Sequence, residues 1–249
     1  MLASQRKQQI LALLAKEKQV HSGELSQRFG LSEDSIRRDL RELAAEGLLQ
    51  RVHGGALPVS AAIAPLETRK NVQIGSKRAI AQKAVSLIQP GQVVILDGGT
   101  TTQELVQHLP RDLAFTAVTH SPSIAVALVD FPAVEVILIG GVLFRHSVVT
   151  MGAAMLETIE RVNADLFFMG VTGVHASAGF TTGNYEEASV KRALAARAAE
   201  TLVMASQEKL SSASAFAIGG LQLASTLIVD APLEQALQTA CDKQRVTVI

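Results

Sequence analysis

Cysteine is almost absent: Cys241 is the single one in 249 residues. That excludes an internal disulfide and a cysteine-rich metal site, and Cys241 reads most simply as a buried apolar residue. Long hydrophobic runs are absent too. The chain is 48% hydrophobic with mean hydropathy +0.26, yet no stretch approaches the ~18 residues of a membrane span. Val93–Leu96 and Val136–Ile139 are short and end in turn residues, as buried strands do. The first ten residues, MLASQRKQQI, hold no apolar signal-peptide segment, so a cytoplasmic protein without membrane contact is expected. Net charge is the third absence. Lys and Arg number 23 against 23 Asp and Glu, which excludes a polycation binding nucleic acid by bulk charge but not a local basic face. No fixed-period repeat and no low-complexity tract occurs.

The length allows one or two domains and a sizeable core. Residues 1–58 carry 9 Lys/Arg against 7 Asp/Glu, and residues 59–249 carry 14 against 16. Between the two parts the uncharged stretch LPVSAAIA (57–64) marks a boundary. The expected organisation is a first domain over 1–58, a linker over 59–75 and a second domain over 76–249.

In the first part, Arg6 to Lys18 places Ile10, Leu13 and Leu14 at helical spacing. Ser22 opens a short second helix that Gly30 ends. Ser32 caps a third helix, with Glu33 and Asp34 in the first turn where the macrodipole favours acids. On that third helix Ile36, Leu40 and Leu43 share one side. Arg38, Arg41 and Asp34 point away from it, with Ser35 and Arg37 on the flanks. Arg51, His53 and Gly54 follow in two short strands around a Gly54-Gly55 turn. Three arginines on an amphipathic helix, taken alone, also fit an ordinary solvated face. The whole series, two short helices, a basic third and a hairpin, is a winged helix-turn-helix layout, in which the third helix reads double-stranded DNA.

In the second part, apolar strand candidates fall at 93–97, 114–119, 134–139, 165–169, 201–205, 226–229 and 245–249. Helical patterns lie at 76–88, 102–109, 122–129, 152–162, 185–199 and 233–241. The alternation predicts an α/β domain with a mostly parallel sheet covered on both faces. After the first strand come Asp97, Gly98, Gly99, Thr100, Thr101 and Thr102, a turn into a helix N-terminus that suits an anion. It is neither a Walker A loop nor GxGxxG. Ser121, Gly140, Gly141, Arg145, Thr182, Glu187, Lys191 and Lys209 lie at or after other strand ends, where α/β sheets bind ligands. Each turn alone fits a plain connection; together they point to a pocket for a small phosphorylated, polyhydroxy ligand. The three threonines and Lys209 would hold the anion, and Asp97 and Glu187 would accept hydroxyl protons. Lys191, one turn after Glu187, also fits a simple helix salt bridge. No metal or cofactor is expected; His146 and His175 are isolated.

Arg6 to Ile10, Ser32 and Ile36 to Leu40 resemble the N-terminal signature of DeoR-type bacterial regulators, and RVHGGA (51–56) is similar to that family's wing. In the second part SKRAIAQKA (76–84), DGGTTT (97–102), GGVLFR (140–145), GFTTGNYEEASVKRA (179–193) and Lys209 are similar to its effector domain, of the ribose-5-phosphate isomerase and CoA-transferase-like fold. Three positions depart from the family pattern: Ser35 for Thr, His120 for Asn, and Ser206 for Asp before the lysine. The resemblance implies a transcriptional regulator, most often a repressor of carbohydrate genes, whose operator affinity a sugar phosphate alters, with no catalytic residues. An isomerase using Glu187 or Asp97 as base is the enzymatic alternative, opposed by the winged layout and by Gly173-Val174-His175-Ala176, which lacks an acidic pair. An architectural DNA-binding protein would leave the second domain without purpose. Paired half-sites predict a homodimer or homotetramer.

Overall fold

The computed structural model describes residues 2–249. Its first unit runs α1 (Ala3–Glu17), β1 (Val20–His21), α2 (Ser22–Phe29), α3 (Glu33–Ala45), β2 (Gln50–Val52) and β3 (Gly55–Leu57). Ile10, Leu14, Leu25, Ile36, Leu40, Leu43 and Leu49 form its core. Each such side chain, fully buried, contributes about 1.5–3 kcal/mol. The Ser32 hydroxyl accepts from the Ser35 N–H at 3.3 Å and caps α3. A buried ion pair locks α1 to α3: Arg6 donates from Nε to Asp39 Oδ2 at 2.5 Å and from Nη2 to Oδ1 at 3.0 Å. Asp39 is 3% exposed, so the pair is shielded from solvent on the carboxylate side.

The three strands order β1-β3-β2, all antiparallel. The two glycines of the turn have separate jobs. Gly54 sits at φ +78°, the left-handed region. Gly55 faces β1 so closely that a Cβ would lie 1.9 Å from the Val20 carbonyl oxygen.

The second unit begins with α4 (Leu66–Arg69) and α5 (Ile74–Val85), then β4 (Val93–Leu96), α6 (Thr100–Gln107), β5 (Phe115–Thr119), α7 (Pro122–Leu128) and β6 (Val134–Leu138). A hairpin follows, β7 (Val142–Phe144) and β8 (Val149–Met151), then α8 (Ala153–Ile159), β9 (Ala164–Gly170), β10 (Gly173–His175) and β11 (Gly179–Thr182). The chain closes with α9 (Tyr185–Ala195), β12 (Ala198–Met204), β13 (Phe216–Gly219), β14 (Thr226–Ile228), α10 (Gln235–Lys243) and β15 (Thr247–Val248).

Seven strands form one parallel sheet, β15-β14-β12-β9-β4-β5-β6. Successive strand residues feed opposite cores, as a period of two requires. Val94, Leu96 and Phe168 pack with Ile80, Leu105 and Ile124. Ile95 and Phe167 pack with Met155, Val190 and Leu237 on the other face. From β4 the chain winds outward through β5 and β6; β9, β12, β14 and β15 then fill the other side. The reversal falls between β4 and β9, the position where such sheets open a crevice at their carboxyl ends.

Three differences from the sequence expectations stand out. The helix expected over 185–199 stops at Ala195, because Ala198 to Met204 pair in register with Ala164 to Gly170. The β7–β8 hairpin and the small antiparallel sheet β10-β11-β13 lie where only turns were expected. Residues 59–75 are not a bare tether: Ser60 and Ala62 are buried, Ala61–Ile63 forms a 3-10 turn, and α4 lies within the segment.

Candidate functional site

The first candidate surface is the outer face of α3. Arg38 and Arg41 are exposed and take no part in an ion pair among the described residues. Arg37 differs: its guanidinium pairs within the helix with Glu33 at 2.7 Å and Asp34 at 3.5 Å. It also lines a groove with Arg51, His53 and Gly54, between the helix and the hairpin. Ser32 and Ser35 share a hydroxyl contact at 3.0 Å at the helix start, so Ser35 is engaged with the cap. Asp34 is almost fully exposed. The nine residues expected to meet DNA therefore all lie on α3 with its cap or on the hairpin, with Arg38, Arg41 and Arg51 in no ion pair among the described residues. Such an array suits phosphates and guanine edges.

The second candidate site is at the β4/β9 switch point. Asp97, at the end of β4, is fully buried and both of its oxygens are spoken for. Oδ1 accepts from the Gly98 N–H at 2.8 Å and His120 Nε2 at 2.9 Å. Oδ2 accepts from the Gly170 N–H at 2.9 Å and Lys191 Nζ at 2.5 Å. Burial opposes ionisation, but Lys191 and His120 outweigh it and hold the Asp97 carboxyl well below the usual carboxylate range. Burial likewise opposes the Lys191 charge; Asp97 and Glu187 outweigh it and push Lys191 up. Asp97 thus anchors the floor of the site and has no lone pair directed at a ligand hydroxyl, unlike the role expected from sequence. The His120 ring bridges to the Thr150 carbonyl through Nδ1 at 2.9 Å. The ring thus ties the end of β4 to β8.

Above this floor is a cavity of about 270 Å³, lined by Gly98, Gly170, Thr172, Thr182, Asn184, Glu187, Lys191 and Ser214 among others. Glu187 accepts from the Thr182 hydroxyl at 2.7 Å and lies 3.8 Å from Lys191. Lys209 is buried and its ammonium donates to the Thr101 hydroxyl at 3.3 Å. Burial, opposed by Glu208 and reinforced by the charges of Arg69, Lys77 and Lys191, pushes its pKa down to about 8. Thr102 is buried and its hydroxyl lacks a partner. Thr100 instead faces a shallow outer groove beside Lys70 and Asn71. Gly99 starts α6 at φ +129°. Ser121 donates to the Val148 carbonyl at 3.0 Å and holds the hairpin loop over Gly98.

Gly140, Gly141 and Arg145 are exposed and do not line the cavity; their neighbours Phe144, His146 and Ser147 do. The structure also adds a residue that the sequence reading left out. Arg69, on α4 in the expected linker, lines the cavity with Val59, Ala62 and Ile63. Burial lowers its pKa against the pull of Glu187, Asp97 and Glu208. The cluster of Glu67, Arg69 and Lys70 after an uncharged stretch was the available signal. Among the described residues no cluster of metal-ligating side chains is present, and no helix is long and apolar enough to cross a membrane.

Comparisons with known proteins identify the family of the chain. Residues 6–61 match the DeoR-like helix-turn-helix domain and residues 72–231 match the DeoR C-terminal sensor domain. The HTH-type transcriptional regulator GlpR of Haloferax volcanii is 36% identical over 252 residues, covering 100% of this chain and 98% of that protein. The glycerol-3-phosphate regulon repressor of Escherichia coli K12 is 29% identical over 233 residues, covering 93% and 92%. Among solved structures, ribose 5-phosphate isomerase A of Methanocaldococcus jannaschii aligns with TM-score 0.40 at 16% identity over 54% of this chain and 53% of that one. The chain belongs to the DeoR family of DNA-binding transcriptional regulators, with an N-terminal helix-turn-helix domain and a C-terminal sensor domain.

Proposed function

We propose that this regulator binds its operator through α3 and the Gly54 hairpin, and that a phosphorylated sugar or polyol in the β4/β9 cleft changes that affinity. The observation that carries the reading is the charge inside the sensor domain. Lys77, Lys191 and Lys209 are buried and Arg69 lines the cavity, against the two buried carboxylates Asp97 and Glu187. Hydroxyl and amide donors of Thr172, Thr182, Asn184 and Ser214 surround the cavity. An excess of buried positive charge beside small polar groups suits an anionic, polyhydroxy ligand. The printed names of the relatives, one of them a glycerol-3-phosphate regulon repressor, support the same ligand class.

In this reading Ser32, Asp34, Ser35, Arg37, Arg38, Arg41, Arg51, His53 and Gly54 serve the operator surface. Gly98, Thr182, Glu187 and Lys191, which line the cavity, serve the cleft, and the Lys209–Thr101 pair stands outside that lining, with Asp97 and Ser121 as supports. We further propose a homodimer or homotetramer in the cytoplasm. Strand β6 is an open sheet edge, and Val126, Val129, Ile137, Leu138, Val142 and Leu143 around it are exposed. A second copy of the chain is the occupant that paired operator half-sites require.

The test is a thermal-shift panel of phosphorylated sugars and polyols beside their unphosphorylated forms. A specific binder at about 100 times its Kd stabilises by roughly 3 kcal/mol. Hits are then added to an operator gel shift with the protein's own upstream region. Stabilisation by phosphorylated ligands alone, with a changed shift, supports the reading; equal response to both forms rejects it.

A further inference from the structure

The segment joining the two units roofs the cleft. Val59, Ala62, Ile63 and Arg69 line the cavity, and Gln50 of β2 reaches its rim. The segment is tied to the sensor domain along its length. The Ala213 N–H donates to the Pro58 carbonyl at 3.4 Å, and the Leu66 N–H donates to the His146 carbonyl at 3.0 Å. The Lys77 ammonium, 1% exposed, donates to the Arg69 carbonyl at 2.6 Å. On the segment's side these contacts all use backbone. The Arg69 guanidinium itself is unengaged among the described residues: its Nε is buried without a hydrogen-bond partner.

None of the carboxylates around Arg69 forms an ion pair with it among the described residues. Asp97 is shared by Lys191, His120 and two backbone N–H groups. Glu187 holds the Thr182 hydroxyl and Lys191. Glu208 accepts from the Ser206 hydroxyl at 2.7 Å through Oε1, while its buried Oε2 takes no hydrogen bond. An arginine held against a polar cavity with no ion pair is costly as it stands and is relieved by an anion. The planar fork of donors matches two phosphate oxygens at once.

We infer that Arg69 takes the phosphate oxygens of the ligand and is the residue through which cleft occupancy reaches the winged domain. The inference rests on the reading that the cleft holds a phosphorylated ligand. A ligand moves a conformational equilibrium only by contacting its two states unequally. Contacts to Lys191, Thr182 and Lys209 all lie within the sensor domain and leave the joining segment indifferent. Arg69 alone among the cleft's cations belongs to the segment that runs back through Val59 and Pro58 to β3 of the wing. Its grip on the ligand fixes that segment, and with it the course of the chain leaving the hairpin.

The experiment uses full-length protein, inorganic phosphate as the probe, and the variants Arg69→Gln and Arg69→Lys. Melting is followed without and with phosphate, affinity by calorimetry, and operator affinity by anisotropy against chloride at matched ionic strength. Arg69→Gln is expected to melt no lower than wild type without phosphate, since no ion pair is lost. Its phosphate affinity falls about tenfold or more, Arg69→Lys lies between, and at saturating phosphate its operator affinity no longer responds. If wild type itself ignores phosphate, the cleft reading fails and takes the inference with it. If wild type responds and Arg69→Gln responds equally, the cleft reading stands and the role of Arg69 is refuted. A lower melting point for Arg69→Gln without phosphate also refutes it, because Arg69 would then be a packing residue.

Discussion

Replacing Asp97 by Asn removes the charge that holds the floor of the cleft. The side chain is fully buried and bridges β4, β9, α9 and the β5–α7 turn through His120, Lys191, Gly98 and Gly170. After substitution Lys191 stays buried with only Glu187, at 3.8 Å, to offset its charge. Breaking a buried pair in this way costs about 3–5 kcal/mol. For a domain of this size each kcal/mol moves the melting point by about 2–4 °C, so a fall of roughly 6–20 °C is expected. The pH dependence adds a second signature. Because the carboxyl is held well below its ordinary value in the fold, its contribution is complete above the unfolded value of ~3.9 and is lost as pH falls below it. The wild-type advantage over Asp97→Asn should be constant from about pH 5 to 7 and shrink below about pH 4. Circular dichroism melts at several pH values measure both. A loss under about 1 kcal/mol at neutral pH would show that the network behaves as a solvated pair, and the account of the floor would be wrong.

Further predictions concern the ligand, the backbone and the operator. With Lys209 lowered to about 8, its charge fades as pH rises through that value. The affinity for a sugar phosphate, a dianion throughout, should fall about tenfold between pH 7 and 9. Lys209→Met should bind more weakly and show a flat profile in calorimetry. Gly98→Ala would place a Cβ 2.3 Å from Val149 Cγ1, so ligand-induced stabilisation should disappear while operator binding by the first domain persists in a gel shift. Arg38→Ala should weaken operator binding and lower the slope of log affinity against log salt by about 1 if the contact is to phosphate. Calorimetric ligand affinity should be unchanged in that variant.

The winged domain was readable because its signals are local. Ser32 caps, Gly30 and Gly47 stop helices, and Ile36, Leu40 and Leu43 set the buried face within one helix. The parallel sheet was readable from apolar runs alternating with helices, although not its strand order. The errors have a common origin in tertiary pairing. The Ala-rich run after Ala195 keeps helical character, yet pairing with β9 claims it for β12. Strands β7, β8, β10 and β11 are three or four residues long, too short for alternation to register. At the site, the gathering of Asp97, Thr182, Glu187 and Lys191 followed from the carboxyl-end rule for α/β sheets. The duties within it did not. Nothing in DGGTTT tells that Asp97 is consumed by Lys191 and His120, or that Thr100 lines a separate groove and not the cleft. Arg69 was hidden because a connector reads as a tether until its turns are seen packed on the cleft.

The central claim is that the operator surface and the cleft belong to one coupled system. Operator affinity is measured at zero and saturating concentrations of a phosphorylated ligand from the panel, and ligand affinity is measured on free and operator-bound protein. Thermodynamic linkage requires the two factors to be equal. The account predicts a change of about 5- to 150-fold, the same in both directions. A ligand that binds tightly and leaves operator affinity unaltered would contradict it.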